Sequence, residues 1–325
     1  MFTRVPRRPL VAVAALCLGL IGAAGAQAEA DWPNKPVRLV VPFAPGGSND
    51  VIARRLAQSL ITALGQSFIV DNRAGAGSVI GSQSVGNSPA DGYTLLFVSG
   101  SLATTAAVQK VPYDPVTAFE AVTRVASAPF VIVTREGFPA KNVQELVAYA
   151  KQNPGKINYG SAGLGDSTQL ATELFNNTTG IMMTGINYKG IAPAQMDMLA
   201  GRFDLVITTI ASVRGSIAEK LPMLAFTGAQ RDADYPTVPT VAEAGIDYVV
   251  DVWWGLFGPA GLPPAIRDRL NREVAKILAE KDFADFLKSS GAIPSPSTPQ
   301  ELRDDVAKDV ARWTDTAQRS GISQK

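Results

Sequence analysis

The residues Val37-Arg38-Leu39-Val40-Val41 run through Pro42-Phe43-Ala44-Pro45-Gly46-Gly47-Ser48-Asn49-Asp50 into a stretch whose apolar residues Ile52, Leu56 and Leu60 fall at helical spacing. A buried strand that passes through adjacent glycines into a helix is the unit that most restricts the fold, because its repetition forces parallel strands joined by crossover helices. It recurs. Phe68 to Val70 leads through a Gly-rich turn (NRAGAGSVIG) into a second helix, and Thr94 to Val98 follows as a third strand. A second series starts at Phe130 to Thr134 and continues with a helix from Asn142, a strand Ile157 to Tyr159, and a helix from about Asp166. Next come a segment through Tyr188, a helix from about Ala192 to Ala200, and strands Asp204 to Thr208 and Met223 to Phe226. The apolar run Val252 to Phe257 ends at Pro259. Closing helices then carry Ile266, Leu270, Val274 and Ile277, and Leu302, Val306, Val310 and Trp313, as one-sided stripes suited to docking on a sheet. The reading is α/β: two α/β units, one interrupted by the other, with 29–125 plus 250–325 as a discontinuous first domain and 126–249 as the second.

Residues 1–28 differ in character. Arg4, Arg7 and Arg8 precede an apolar stretch from Leu10 to Ala24, and Ala26-Gln27-Ala28 places small residues where a signal peptidase cuts. The stretch is short of the roughly 20 residues that span a bilayer. Cleavage after Ala28 and export to the periplasm are expected, with the Sec route favoured over the twin-arginine route. The sole cysteine, Cys17, leaves with this segment, so no disulfide supports the mature chain.

Removing three arginines and no acid from 30 basic and 29 acidic residues leaves a mature net charge of −2. No basic field remains to attract nucleic acid. With 325 residues, 46% of them hydrophobic, the chain can bury two cores. Histidine is absent. Without His or mature Cys there is no Ser-His-Asp triad, no Cys-His pair and no zinc site of the usual ligand sets. Carboxylate-only catalysis survives that exclusion, and Asp50 with Asp166 is its candidate pair, although each reads more simply as a helix cap. Glu145, Glu243 and Glu301 sit three residues after Asn142, Thr240 and Thr298, the spacing of a capping box.

Ligands of open α/β sheets bind past the carboxyl ends of the strands. The segments that fall there are Pro45 to Asp50, Ala74 to Ser78, Ser99-Gly100-Ser101, Gly160 to Thr168 and Tyr188-Lys189-Gly190. They are rich in glycine and hydroxyls and poor in charge, which suits an oxyanion held by backbone N–H and O–H donors at helix N-termini. The turn at Gly47 is expected to need positive φ and to tolerate no side chain.

Eight segments occur in order: WPNKPVRLVVPFAPGGSNDVIAR, VDNRAGAGSVIG, ADGYTLLF, YDPVTAF, INYGSAGLGDSTQLATELF, YKGIAPAQMDMLAGRFDLV, YPTVPTVAEAG and WWGLFGPAGLPP. Together they resemble the tripartite tricarboxylate transporter receptor family, also called Bug proteins, across essentially the whole mature chain. The resemblance implies a monomeric periplasmic solute-binding protein with two α/β domains joined by crossover strands and a ligand cleft between them. It implies no enzymatic activity, no cofactor and no metal. The partners it implies are a small carboxylate, such as a di- or tricarboxylate, and membrane transporter subunits; the alternative is a receptor that signals to a membrane sensor kinase. Carried over by position, it points to Phe43, Ala44, Gly46, Gly47 and Asp50 on one wall; Ser101 joins them from its own segment past the third strand. On the other wall it points to Ser161, Gly163, Gly165, Ser167, Thr168 and Asp204. Two departures stand out. Gln169 replaces a histidine common in the family, and Asn187 stands where a proline is common.

Overall fold

The computed structural model describes residues 32–214 and 221–323. The expected leader, residues 1–28, and its expected cleavage site lie outside the described residues. In chain order the first elements are β1 (Val37–Val41), α1 (Ser48–Leu64), β2 (Phe68–Asn72), α2 (Val79–Gly86), β3 (Thr94–Ser99), α3 (Ser101–Val108) and β4 (Phe119–Pro129). The middle of the chain forms β5 (Val131–Thr134), α4 (Val143–Gln152), β6 (Asn158–Ser161), α5 (Ser167–Thr179), β7 (Thr184–Asn187), α6 (Ile191–Leu199), β8 (Leu205–Thr208), α7 (Ile210–Val213) and β9 (Met223–Phe226). The last elements are β10 (Asp251–Pro259), α8 (Pro264–Ala279), α9 (Lys281–Ser289), β11 (Ile293–Pro294) and α10 (Pro299–Arg319).

The strands form two mixed sheets, β11-β4-β10-β3-β1-β2 and β7-β6-β8-β5-β9. In the first, β1 pairs in parallel with β2 and β3, as strand–helix–strand units demand, while β10 runs antiparallel to both β3 and β4. In the second, β6 is parallel to β7 and β8, and β5 is antiparallel to β8 and β9. The parallel order read from the sequence thus holds among β1, β2 and β3 and among β6, β7 and β8, but not for β5, which runs antiparallel to β8 although α4 joins it to β6.

The crossings are tight. Only Phe130 separates β4 in the first sheet from β5 in the second. The return segment is tied to it at buried Thr227, whose Oγ1 accepts the Phe130 N–H at 2.8 Å and whose N–H donates to Phe130 O at 2.9 Å. The Val250 N–H closes the knot on Thr227 O at 3.0 Å.

The helices form for the reasons their patterns suggest. Ile52, Leu56 and Leu60 are buried on α1, which ends at Gly65 in the left-handed conformation at φ 72°. Ile266, Leu270, Val274 and Ile277 are buried on α8. The Thr298–Glu301 capping box opens α10, whose Leu302, Val306 and Trp313 are buried. Asn142 caps α4 by accepting the Glu145 N–H, and Thr240 and Glu243 exchange hydrogen bonds in the same way.

Candidate functional site

The β1–α1 loop is shaped from within by Asp50. This buried carboxylate accepts the Gly46 N–H at 3.0 Å, Arg54 Nε at 3.0 Å and Asn72 Nδ2 at 2.9 Å, while Asn72 Nδ2 also reaches Phe43 O at 3.1 Å. Burial pushes the Asp50 carboxyl up, but hydrogen bonds from Arg54, Gly46 and Asn72 outweigh it and hold the group below the ordinary carboxylate range. Asp50 therefore fixes the loop from behind. The residue with positive φ is Gly46, at 91°, rather than Gly47, which caps α1 at φ −84° in ordinary extended backbone. Gly47 is constrained by space instead: a Cβ there would sit 3.2 Å from Ile191 Cγ2.

On the facing wall, α5 opens at Asp166, which accepts the Thr168 N–H at 2.8 Å and is also bonded by the Thr168 hydroxyl. Thr168 Oγ1 in turn accepts the Ala162 N–H at 3.0 Å. Gln169 Oε1 accepts the Gly165 N–H at 2.6 Å, so Gln169 braces the loop. Asn187 Oδ1 likewise accepts the Ser161 hydroxyl at 2.6 Å. Gly163 and Gly165 have positive φ, 149° and 76°, and a Cβ on them would lie 2.9 Å from the Cα of Gly77 and of Thr105 respectively. They let backbone meet backbone across the cleft.

Where the walls meet they enclose a cavity of about 30 Å³, room for a water or two. Gly47 and Ser48 at the start of α1 and Ser167 and Thr168 at the start of α5 line it. The positive ends of two helices, of 17 and 13 residues, thus border one small space. Apart from the Asn49 amide and the Asp166 carboxylate, the remaining surface is apolar or hydroxyl-bearing, from Phe43, Ala44, Phe130, Ile191 and Val252 to Ser99, Thr208, Thr209 and Ser212, and it contains no lysine or arginine among the described residues. Hydrogen bonds cross the cleft directly: Ala44 N–H to Lys189 O at 3.1 Å, Ser48 N–H to Ser212 Oγ at 3.1 Å, and Ser101 Oγ to Asp166 Oδ2 at 3.0 Å.

Of the residues singled out from the sequence, Phe43, Ala44, Gly47, Ser167 and Thr168 come together on the cavity. Ser101 stands just behind, 2.9 Å from the hydroxyls of both Ser99 and Ser167. Gly46 and Asp50 shape the loop, Ser161 faces Asn187, and Gly163 and Gly165 form the wall-to-wall contact. Asp204 is not at the cleft. It precedes β8, at the end of the second sheet away from Thr208, where it pairs with Arg135 Nε at 3.0 Å and accepts the Asn158 N–H at 2.9 Å. The expectation of a cleft-side acid there fails because a strand has its ligand end at its carboxyl terminus, and Asp204 is at the other. Asp50 and Asp166 do not converge either, since Asp166 lines the cavity and Asp50 does not.

Sequence reasoning missed Thr208, Thr209 and Ser212. Their signal was present, because Thr208-Thr209-Ile210-Ala211-Ser212 is another hydroxyl-rich segment at a strand's carboxyl end.

The family profile described as tripartite tricarboxylate transporter family receptor matches residues 52–322. Protein BugT of Bordetella pertussis is 35% identical over 321 residues, covering 97% of this chain and 98% of its own. The periplasmic binding protein BugD is 33% identical with a TM-score of 0.86, over 90% of this chain and 100% of that one. An R. palustris protein solved with adipate is 36% identical with a TM-score of 0.86, over 90% of this chain and 99% of that one. MatC from Rhodopseudomonas palustris, solved with bound malate, is 30% identical with a TM-score of 0.84, over 88% and 100% of the two chains.

Proposed function

The chain belongs to the tripartite tricarboxylate transporter receptor family, and on that premise we propose that it captures a small di- or tricarboxylate in the cleft between its two sheets and delivers it to membrane transporter subunits. One observation carries the reading: the N-termini of α1 and α5 face a shared cavity whose lining offers hydroxyls and backbone N–H groups but no cationic side chain. Such a site holds an anion with oriented dipoles rather than with a counter-ion. Adipate and malate in two related structures support the ligand class.

Phe43, Ala44 and Gly47 form the proposed first wall, and Ser167 and Thr168 the second. A space of about 30 Å³ admits no six-carbon diacid, so the walls have to part for the ligand to enter. The moving bodies are proposed to be 29–125 with 250–325, and 126–249, pivoting where Thr227 ties the two crossings together. The direct bonds between Ala44 and Lys189, and between Ser48 and Ser212, are then the ones that break on opening.

A thermal-shift screen of the protein against mono-, di- and tricarboxylates, sugars and cationic amino acids tests the reading. A ligand that binds only the folded state stabilises it by about 2.7 kcal/mol at a hundredfold excess over its dissociation constant. At least one carboxylate is expected to raise the melting temperature. Stabilisation by sugars or cationic amino acids with no active carboxylate overturns the proposal.

A further inference from the structure

Asp166 is 3% exposed and is the one ionisable side chain among the described residues lining the cavity. Its oxygens are met by neutral donors only: the Thr168 N–H and hydroxyl on one, the Ser101 hydroxyl on the other. No cation on the elements packed around it pairs with Asp166 among the described residues, and Lys308 on α10 is exposed to solvent. Within α3 there is no ionisable residue. On α5 itself Glu173 is engaged by the Tyr159 hydroxyl, and on α1 Asp50 is paired with Arg54. On α10, which packs over α3 and α5, Asp309 accepts from Trp253 Nε1 and Arg312 stacks on Trp313. Lys189, across the cleft, accepts the Ala44 N–H through its main-chain carbonyl and has an exposed side chain.

A carboxylate ligand held in this space would lie beside an ionised Asp166 with no positive side chain to balance the pair. Two carboxylates at close range in a desolvated site do not both stay ionised; one takes a proton. With the cleft open, water reaches Asp166 and the charged form is supported. Closing the cleft over an anion removes that water and adds a like charge.

We propose that Asp166 makes the cleft bind its carboxylate together with one proton, which comes from solvent and resides on the Asp166 carboxyl. The protonated group then turns from an acceptor into a donor that can hydrogen-bond the ligand oxygen, and the ligand's net charge is partly offset without a cation. Burial pushes the Asp166 carboxyl up against the opposing hydrogen bonds from Thr168 and Ser101, in the same sense. The inference rests on the carboxylate-receptor reading and adds a residue that sets its ligand charge.

The sign of the linkage is fixed. A group whose proton affinity rises on binding makes affinity fall as pH increases through the window between its open and its bound values. The test is calorimetric titration of the full chain with adipate and with malate from about pH 6 to about pH 9, where both ligands are largely ionised, in buffers of different ionisation enthalpy. Wild type is expected to take up close to one proton per ligand and to weaken by up to about tenfold per pH unit. Asp166→Asn retains a capping side chain and is expected to bind with no proton uptake and a flat pH profile; Asp166→Ser serves the same comparison should the first variant fail to fold. A wild type that binds with no proton uptake overturns the inference alone, as does an Asp166→Asn protein that keeps the wild-type slope or loses affinity equally at every pH. A wild type that binds neither these nor any other carboxylate at any pH overturns the receptor reading, and the inference with it.

Discussion

Gly77 lies so close to Leu164 across the cleft that a Cβ built on it would fall 2.1 Å from the Leu164 carbonyl oxygen. Gln109 Nε2 donates to that same oxygen at 3.0 Å, and Thr105 Oγ1 donates to Gly77 O at 2.6 Å, so the contact is locked from both sides. A methyl group at this position cannot be accommodated by a rotamer change, because the obstacle is backbone.

Gly77→Ala is therefore expected to disfavour the closed cleft. The left-handed conformation at φ 64° costs a non-glycine residue about 1–2 kcal/mol whether the cleft is open or closed, but the clash with Leu164 exists only when it is closed. Ligand affinity should fall by about tenfold or more, and small-angle scattering should show a larger radius of gyration with ligand present. Gly65→Ala is the control: its φ is 72° and nothing lies within 4 Å of its would-be Cβ, so it should lose stability and keep affinity. Equal losses of affinity in the two variants would mean the effect is general destabilisation.

Asp50 supplies a prediction about stability and pH. Asp50→Asn removes the charge to which Arg54 and the Gly46 N–H are bonded, and should cost about 1–3 kcal/mol in urea unfolding at neutral pH. Because the folded carboxyl is held below the ordinary carboxylate range, its contribution is present above that range and is lost as pH falls through the lower folded value. The difference between wild type and variant should shrink on acidification below about pH 4. A difference that stays constant down to the acid transition would assign the loss to packing.

At the start of α1 the backbone and the side chains can be separated. Ser48 donates its N–H to Ser212 Oγ, and alanine at position 48 retains that N–H. Ser48→Ala should change affinity by less than about threefold, and Ser212→Ala, which removes one hydrogen bond worth about 1 kcal/mol from the closed state, by about fivefold. Gly47→Val drives a branched side chain at Ile191 and into the cavity. Displacing two or three donors to a charged group, each worth about 1.5–3 kcal/mol, should weaken binding by about a hundredfold or more. Normal binding by Gly47→Val with failure of Ser48→Ala would put the ligand on side chains.

What the sequence made legible, and what it hid, divides along physical lines. The parallel units and their helices were readable because each carries its own local signal: Ile52, Leu56 and Leu60 at helical spacing, Gly65 as a left-handed cap, Thr298 with Glu301 as a capping box. The long strand β4 was not, because Glu120, Thr123, Arg124 and Ser127 interrupt its apolar residues, and its pairing with β10 carries two register shifts. The first wall of the cavity was legible from a glycine turn following a strand. Asp166 was legible as a cap, and its place on the cavity was not, because burial of a cap depends on what packs over it from 65 residues away, here Ser101. Asp204 misled for the opposite reason: an acid beside a strand looks the same at either end until the strand's direction in the sheet is known.

The two serines of the second wall separate a loop-bracing role from a ligand-facing one. Ser161 Oγ donates to Asn187 Oδ1 at 2.6 Å, and Asn187 is itself exposed, so in Ser161→Ala the freed amide oxygen meets water at little cost. Ser167 lines the cavity at the N-terminus of α5, and its hydroxyl lies 2.9 Å from Ser101 Oγ, which ties it to the network that reaches Asp166. Losing a hydroxyl aimed at a charged ligand costs about 1.5–3 kcal/mol, against about 0.5–1.5 kcal/mol for a hydrogen bond between neutral groups that water can replace. Calorimetry with adipate should accordingly show Ser167→Ala weakened by about tenfold or more and Ser161→Ala by about threefold or less. The reverse order would mean that Asn187 releases the Ser161 hydroxyl on binding, so that Asn187 holds a ligand donor in reserve.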